Sequence, residues 1–255
     1  LCMSDLQWSA RDKTPGTDHA QALASRLGYT PVYLRYNSGK HISQNGRELA
    51  DQLEQLLARW PTAIDDLTVV AHSMGGLVIR SAIYYAQEQA MAWPSLLKNI
   101  IFLGTPHHGA PLEKVGNWVD ALMGSTPFTR PFNALGKIRS AGITDLRFGN
   151  ILDEDWHGTD RFDLGKDQRN AVPLPEKVRC FCLAATTTAK RGALADRLIG
   201  DGLVPVNSAL GSHGEAHKAI AFDSEQQWIA YRTNHMELLS RPEVTRKIIA
   251  WLTPA

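Results

Sequence analysis

The stretch Leu67-Thr68-Val69-Val70-Ala71-His72-Ser73-Met74-Gly75-Gly76 constrains the fold more than any other part of the chain. Its first four residues read as a buried strand, and Leu77-Val78-Ile79-Arg80-Ser81-Ala82-Ile83-Tyr84-Tyr85 is apolar on a helical period. Only a sharp turn at Ser73 is left to join them, so strand and helix must nearly touch. Residues two before and two after the serine have to be small there, because larger side chains would collide. Ala71 and Gly75 fill those places. Such a turn sets a serine hydroxyl over a helix N-terminus, which makes an enzyme the leading reading. The same small residues would also suit a purely structural turn.

The rest of the chain alternates in the same way. Thr17-Asp18 can cap a helix to about Leu27 that Gly28 stops, and Pro31 to Tyr36 reads as a strand. A helix opening at Ser43 carries Leu49, Leu53, Leu56, Leu57 and Trp60 on one stripe, and Pro61 closes it. Then follow the strand Leu67 to Ala71, a helix from Met74 to about Met91, and a strand Asn99 to Leu103. Val178 to Ala184 and Ala219 to Phe222 read as later strands, with His217 at the start of the last. A final helix runs from about Pro242 to Leu252. Repeated strand-helix units of this kind predict an α/β fold, a mostly parallel central sheet flanked by helices. We expect one domain over 1–255 with an insertion from about Leu112 to Leu174, where the alternation stops and Trp118, Phe128, Phe132, Phe148, Trp156 and Phe162 are scattered. Insertions of this length serve as lids or binding loops, and Trp118, Phe128 and Phe132 are candidates to line a substrate pocket. Packing on the body is the alternative.

Charge narrows the partners. Lys and Arg total 27 against 26 Asp and Glu, so the net +1 offers no field for nucleic acid or an anionic membrane surface. Cys2, Cys180 and Cys182 are odd in number, and the last two share a strand face without disulfide geometry. Free buried thiols are expected, which weakly favours a reducing, cytoplasmic setting. No apolar run approaches the ~18 residues of a membrane span, and no leader is visible in a chain that begins at Leu1. Oligomeric state is open.

A serine hydroxyl is a weak nucleophile at neutral pH, so it needs a histidine to take its proton and a buried carboxylate to orient that histidine. Asp201, in Gly200-Asp201-Gly202-Leu203-Val204-Pro205, is the best candidate acid, since its glycine neighbours permit a tight turn at a strand end. Asp196 and Asp223 are rivals. His235, in a loop before the last helix, is the candidate base, with His213 and His217 less free to reach the serine. The backbone N–H of Met74 is placed to meet a developing oxyanion. His72 reads as a packing histidine inside the turn. Adjacent His107 and His108 do not converge on one ion, so no metal is expected, and no dinucleotide or phosphate loop implies a nucleotide cofactor.

Four stretches together resemble the serine α/β-hydrolases of the bacterial lipase and esterase type, with some similarity to the GPI-inositol-deacylase-like branch. They are Ala71 to Gly76, Leu103-Gly104-Thr105-Pro106-His107-His108-Gly109-Ala110-Pro111, Asp201 to Pro205, and His235 with Glu237-Leu238-Leu239. Alanine at position 71, where the family usually has glycine, departs from its pattern. The resemblance implies ester hydrolysis through Ser73, His235 and Asp201 and an acyl-enzyme intermediate, without a cofactor. It also implies a second oxyanion donor matching Leu1, and a strand before Leu1 lying between 31–36 and 67–71. Those two segments should then not pair directly. An acyltransferase with the same triad, or a non-catalytic binding protein of this fold, are the alternatives.

Overall fold

The computed structural model describes residues 8, 18–110, 140–158, 167, 169–189 and 200–253. The first helix, α1 (His19–Leu27), starts as expected. Asp18 Oδ1 accepts the Gln21 N–H at 3.1 Å, and the helix ends where Gly28 turns to φ 76° and gives its N–H to Ala24. Caps of this kind stabilise by about 1 kcal/mol. Helix α2 (Ile42–Arg59) packs its N-terminal half most closely: a Cβ on Gly46 would lie 2.5 Å from Ser81 Cβ, so only glycine allows this approach. The expected stripe of Leu49, Leu53 and Leu57 is half-buried against the same core.

Strand β1 (Leu67–His72) leads through Ser73 into helix α3 (Met74–Glu88), and β2 (Leu97–Leu103) follows. After them come α4 (Ala141–Phe148), β3 (Arg179–Thr186), the single turn α5 (Val206–Ala209), β4 (Gln227–Tyr231) and α6 (Pro242–Leu252). The four strands form one sheet in the order β1-β2-β3-β4, every pair parallel. Period-two alternation sends Ile100, Phe102, Cys180 and Cys182 to the α2 and α3 side. It sends Ile101, Leu103, Phe181 and Leu183 to the α6 side. Both faces are thus covered, as parallel sheets require. All strand C-termini lie at one end, and the residues with candidate chemistry follow β1, β3 and β4 there.

Of two expected strands, one joins no ladder with the described residues and the other is corrected. Residues 31–36 join no ladder among the described residues: the sheet begins at β1, and Val32, Tyr33, Leu34 and Tyr36 are 36 to 59% exposed. Direct pairing with β1, which would have contradicted an intervening strand, is not found. Ala219 to Phe222 also makes no ladder. Ile220 and Phe222 are buried against the α2 and α3 side, the Ile220 N–H goes to Gly211, and Gln227–Tyr231 takes the place beside β3. His217 accordingly starts no strand and lies exposed in the turn Ala216–Lys218.

Cys180 and Cys182 are buried free thiols, and burial pushes the Cys180 thiol up to about 12, which leaves it unreactive. Cys2 lies outside the described residues. Among the described residues, no helix is long and apolar enough to cross a membrane.

Candidate active site

The turn at Ser73 is strained. Its φ of 54° and ψ of −125° are rare for a residue with a side chain, and its N–H is held by the Leu103 carbonyl at 2.9 Å. Ser73 is buried, and its Oγ has no hydrogen-bond partner among the described residues. Met74 opens α3 immediately after it, and no side chain caps that helix. A methyl on Gly75 would stand 4.0 Å from Ala71 Cβ, an ordinary contact, so alanine at 71 fits this turn without crowding. The tighter position is Gly76, where a Cβ would lie 2.0 Å from Thr105 Oγ1 in the loop after β2.

Asp201 and His235 meet. His235 Nδ1 donates to Asp201 Oδ2 at 2.6 Å, and the His235 N–H donates to the Asp201 carbonyl at 3.1 Å. The other carboxylate oxygen accepts the N–H groups of Leu203 and Val204 at 2.9 and 2.7 Å. Both side chains are about 98% buried. The loop that carries His235 is anchored at its entrance by N–H bonds from Arg232 to Thr188 and from Thr233 to Thr186. Asn234 Oδ1 accepts from Met236 and Glu237, and Glu237 Oε2 accepts from Asn234 in return. The rings come close to the end of β2: on Gly104 (φ 56°) a Cβ would lie 3.2 Å from both Asp201 Oδ2 and His235 Cε1. The neighbour of Ser73 is equally near, with the His72 and His235 ring centroids 4.5 Å apart.

The rival residues go elsewhere. Asp223 is exposed and precedes the turn Ser224–Gln226, His213 faces Asp167 at 3.3 Å, and His217 faces Glu215. Asp196 and the expected donor Leu1 lie outside the described residues, as do the pocket candidates Trp118, Phe128 and Phe132. Trp156, another aromatic of the insertion, packs on the body: it stacks on His41 at 3.6 Å and donates to Ser43 Oγ. His107 and His108 separate. His107 packs against Phe102 and Phe222, whereas His108 donates to the Gly211 carbonyl at 2.9 Å. Burial drives both below the usual histidine range, His108 to about 4.

Nothing in the sequence marks His72 or His19 as neighbours of this site. His72 Nε2 donates to the His235 carbonyl at 3.0 Å, and His19 Nε2 donates to the Leu238 carbonyl at 2.8 Å. Both contacts join residues more than 150 positions apart. Burial, and then the nearby His235 ring, hold His72 well below the ordinary histidine value.

No curated protein matches the chain. A family model described as "Domain of unknown function (DUF7379)" matches residues 37–146, a span that includes Ser73 but neither Asp201 nor His235. Among solved structures, the chain is similar to the lipase BlEst2 of Bacillus licheniformis in its mature form. The TM-score is 0.58 at 19% identity, over 98% of this chain and 86% of that one. The propeptide form of the same lipase gives 0.60 at 18% identity, over 99% of this chain and 48% of that one. With a parallel sheet flanked by helices and likeness to these structures along nearly its whole length, the chain has the α/β-hydrolase fold.

Proposed function

We propose that this protein hydrolyses carboxylic esters through Ser73, His235 and Asp201. The observation that carries the reading is a strained serine at the C-terminal end of β1 together with a buried His235–Asp201 pair whose backbone touches the neighbouring His72. Likeness to a lipase supports it, and the run from Leu103 to Pro111 supports the finer placement near the GPI-inositol-deacylase-like branch.

The chemistry follows from the groups present. Ser73 Oγ attacks the ester carbonyl carbon while His235 Nε2 takes its proton, and Asp201 stabilises the imidazolium through Nδ1. Two backbone N–H groups and the histidine satisfy the oxygens of Asp201 and hold the carboxylate in place. The tetrahedral oxyanion is met by the Met74 N–H, with a second donor expected from Leu1. Collapse expels the alcohol, which receives the proton from His235. Water then attacks the acyl-Ser73 ester with His235 again as base, and the carboxylic acid leaves.

The test is hydrolysis of p-nitrophenyl esters by the protein and its Ser73→Ala variant, with fluorophosphonate labelling in parallel. Turnover should fall by about a millionfold, and label should map to Ser73. Unchanged turnover in the variant, or an inert Ser73 in the parent, overturns the reading.

A further inference from the structure

We propose that His72 is a positioning residue for this reaction: its Nε2–H, donated to the carbonyl of His235, fixes the backbone from which the base reaches toward the nucleophile turn. The proposal rests on the functional reading above, since it assigns His72 a part in the work of His235.

The geometry is direct. A carbonyl oxygen only accepts, so the 3.0 Å contact requires the proton on Nε2 of His72. His72 Nδ1 is then the remaining nitrogen, and it is buried without a hydrogen-bond partner among the described residues. Protonating it would leave a buried donor unsatisfied and set a cation 4.5 Å, ring centroid to ring centroid, from His235. His72 therefore stays neutral, in one tautomer, while His235 acquires its charge in the transition state. A cationic His72 would oppose that charge. The groups facing His72 are consistent with this assignment: His235 with Asp201 behind it, His19 from α1, and the edge of the Trp8 ring.

Placement in the chain makes the contact consequential. His72 is the last residue of β1 and adjoins Ser73, so one short covalent path links the attacking oxygen to a hydrogen bond on the backbone of the base. His19 holds the Leu238 carbonyl three residues further along the same loop, and its Nδ1 lies 2.8 Å from Thr245 Oγ1 of α6. The end of β1 and α1 thus hold two carbonyls three residues apart, those of His235 and Leu238.

Two variants and one spectroscopic measurement test the assignment. His72→Phe keeps a ring but removes the donor, and His72→Gln restores an N–H. On p-nitrophenyl acetate we expect His72→Phe to lower kcat by about 10- to 100-fold, the range that follows from displacing a reacting group by up to 1 Å, with KM unchanged. His72→Gln should recover most of that loss. Wild-type kcat in His72→Phe, or equal impairment in both variants, overturns the proposal. In the parent protein, imidazole nitrogen shifts should report His72 as neutral and protonated on Nε2 between about pH 8 and pH 5. A Nδ1–H tautomer or a cation there overturns it even where a variant does not fold. Failure of the functional reading is separable, because it would leave the parent protein itself without turnover or Ser73 labelling.

Discussion

Among the described residues, two histidines meet a buried aspartate through Nδ1. His235 Nδ1 meets Asp201 at 2.6 Å, and His41 Nδ1 meets Asp145 at 2.9 Å. Both carboxylates are almost fully buried. What differs is the use of the remaining atoms. Asp145 spends Oδ2 also on the Ile42 N–H at 2.8 Å, closing the N-terminus of α2 from α4, and Oδ1 accepts from Asn150. The ring of His41 is stacked flat on Trp156, with 6° between planes. Asp201 instead accepts from a tight turn after β3, and its histidine stands on a loop against His72, the residue before the strained serine. A His–Asp bond is therefore no signature of a base. What surrounds the imidazole sets the two apart, and around His41 it is structure: Trp156 on its face and the N-terminus of α2 beside its carboxylate.

Asparagine at each aspartate separates the two roles most sharply. Asp201→Asn should reduce ester turnover by about ten-thousandfold, because the amide favours the wrong histidine tautomer. Asp145→Asn should leave the turnover per folded molecule unchanged. Steady-state kinetics on both variants decides. An inert Asp201→Asn would move the acid role to Asp196, since Asp223 is exposed and at a different turn. Equal losses in the two variants would erase the distinction between the pairs.

Stability should show the converse. Asp145→Ala leaves the Ile42 N–H and the His41 ring without their acceptor in a buried site, and burial already raises the Asp145 carboxyl above the usual range. The expected loss is about 3 kcal/mol in urea unfolding, the scale for breaking a buried pair from one side. A loss below about 1 kcal/mol would mean that water replaces the carboxylate and that this pair is not a clamp.

The sequence made one pair legible and concealed the other for a physical reason. Asp201 stands between glycines with an apolar run behind it, and His235 follows in the order serine, acid, histidine, so local turn chemistry and chain order point to them. His41 and Asp145 are 104 positions apart, with no local pattern at either end. The same holds for His72, whose hydrogen-bond partner is a carbonyl 163 positions away. Strands divide likewise. Leu67 to Ala71 and Asn99 to Leu103 are mostly apolar and occupy the sheet, whereas residues 31–36 have equal strand character and join no ladder among the described residues. Pairing is a property of two segments, and composition describes only one. Cap residues such as Asp18 and Gly28 were readable because their partners are within four residues.

A smaller effect probes how closely the chemical pair is packed. Gly104 combines φ 56° with contact distances that leave no room for a side chain: a Cβ would also lie 2.8 Å from Leu238 Cδ1. Gly104→Ala should therefore strain the backbone by about 1 to 2 kcal/mol and move the His235 loop. We expect kcat to fall by about tenfold while the Asp145 side of the molecule is unaffected, as judged by the Trp156 environment in fluorescence. An Ala variant with parental kcat would show that the loop yields freely.

Three histidines that meet no carboxylate among the described residues complete the contrast. His72, His107 and His108 are all held below the ordinary value by burial, so the folded chain refuses protons that the unfolded chain accepts. For His108 the window runs from 6.5 in the unfolded chain to about 4 in the folded one. Between those limits the unfolded state binds more protons, and stability falls as pH is lowered. His108→Gln removes that proton site while an amide N–H can still reach the Gly211 carbonyl. Between about pH 6.5 and pH 5 the variant should lose less stability than the parent, by about 1 kcal/mol once solvent screening of this half-buried ring is allowed for. Urea midpoints at the two pH values measure it. Equal losses would mean that His108 accepts its proton in the folded state, and that burial without an acid does not keep an imidazole neutral in this loop.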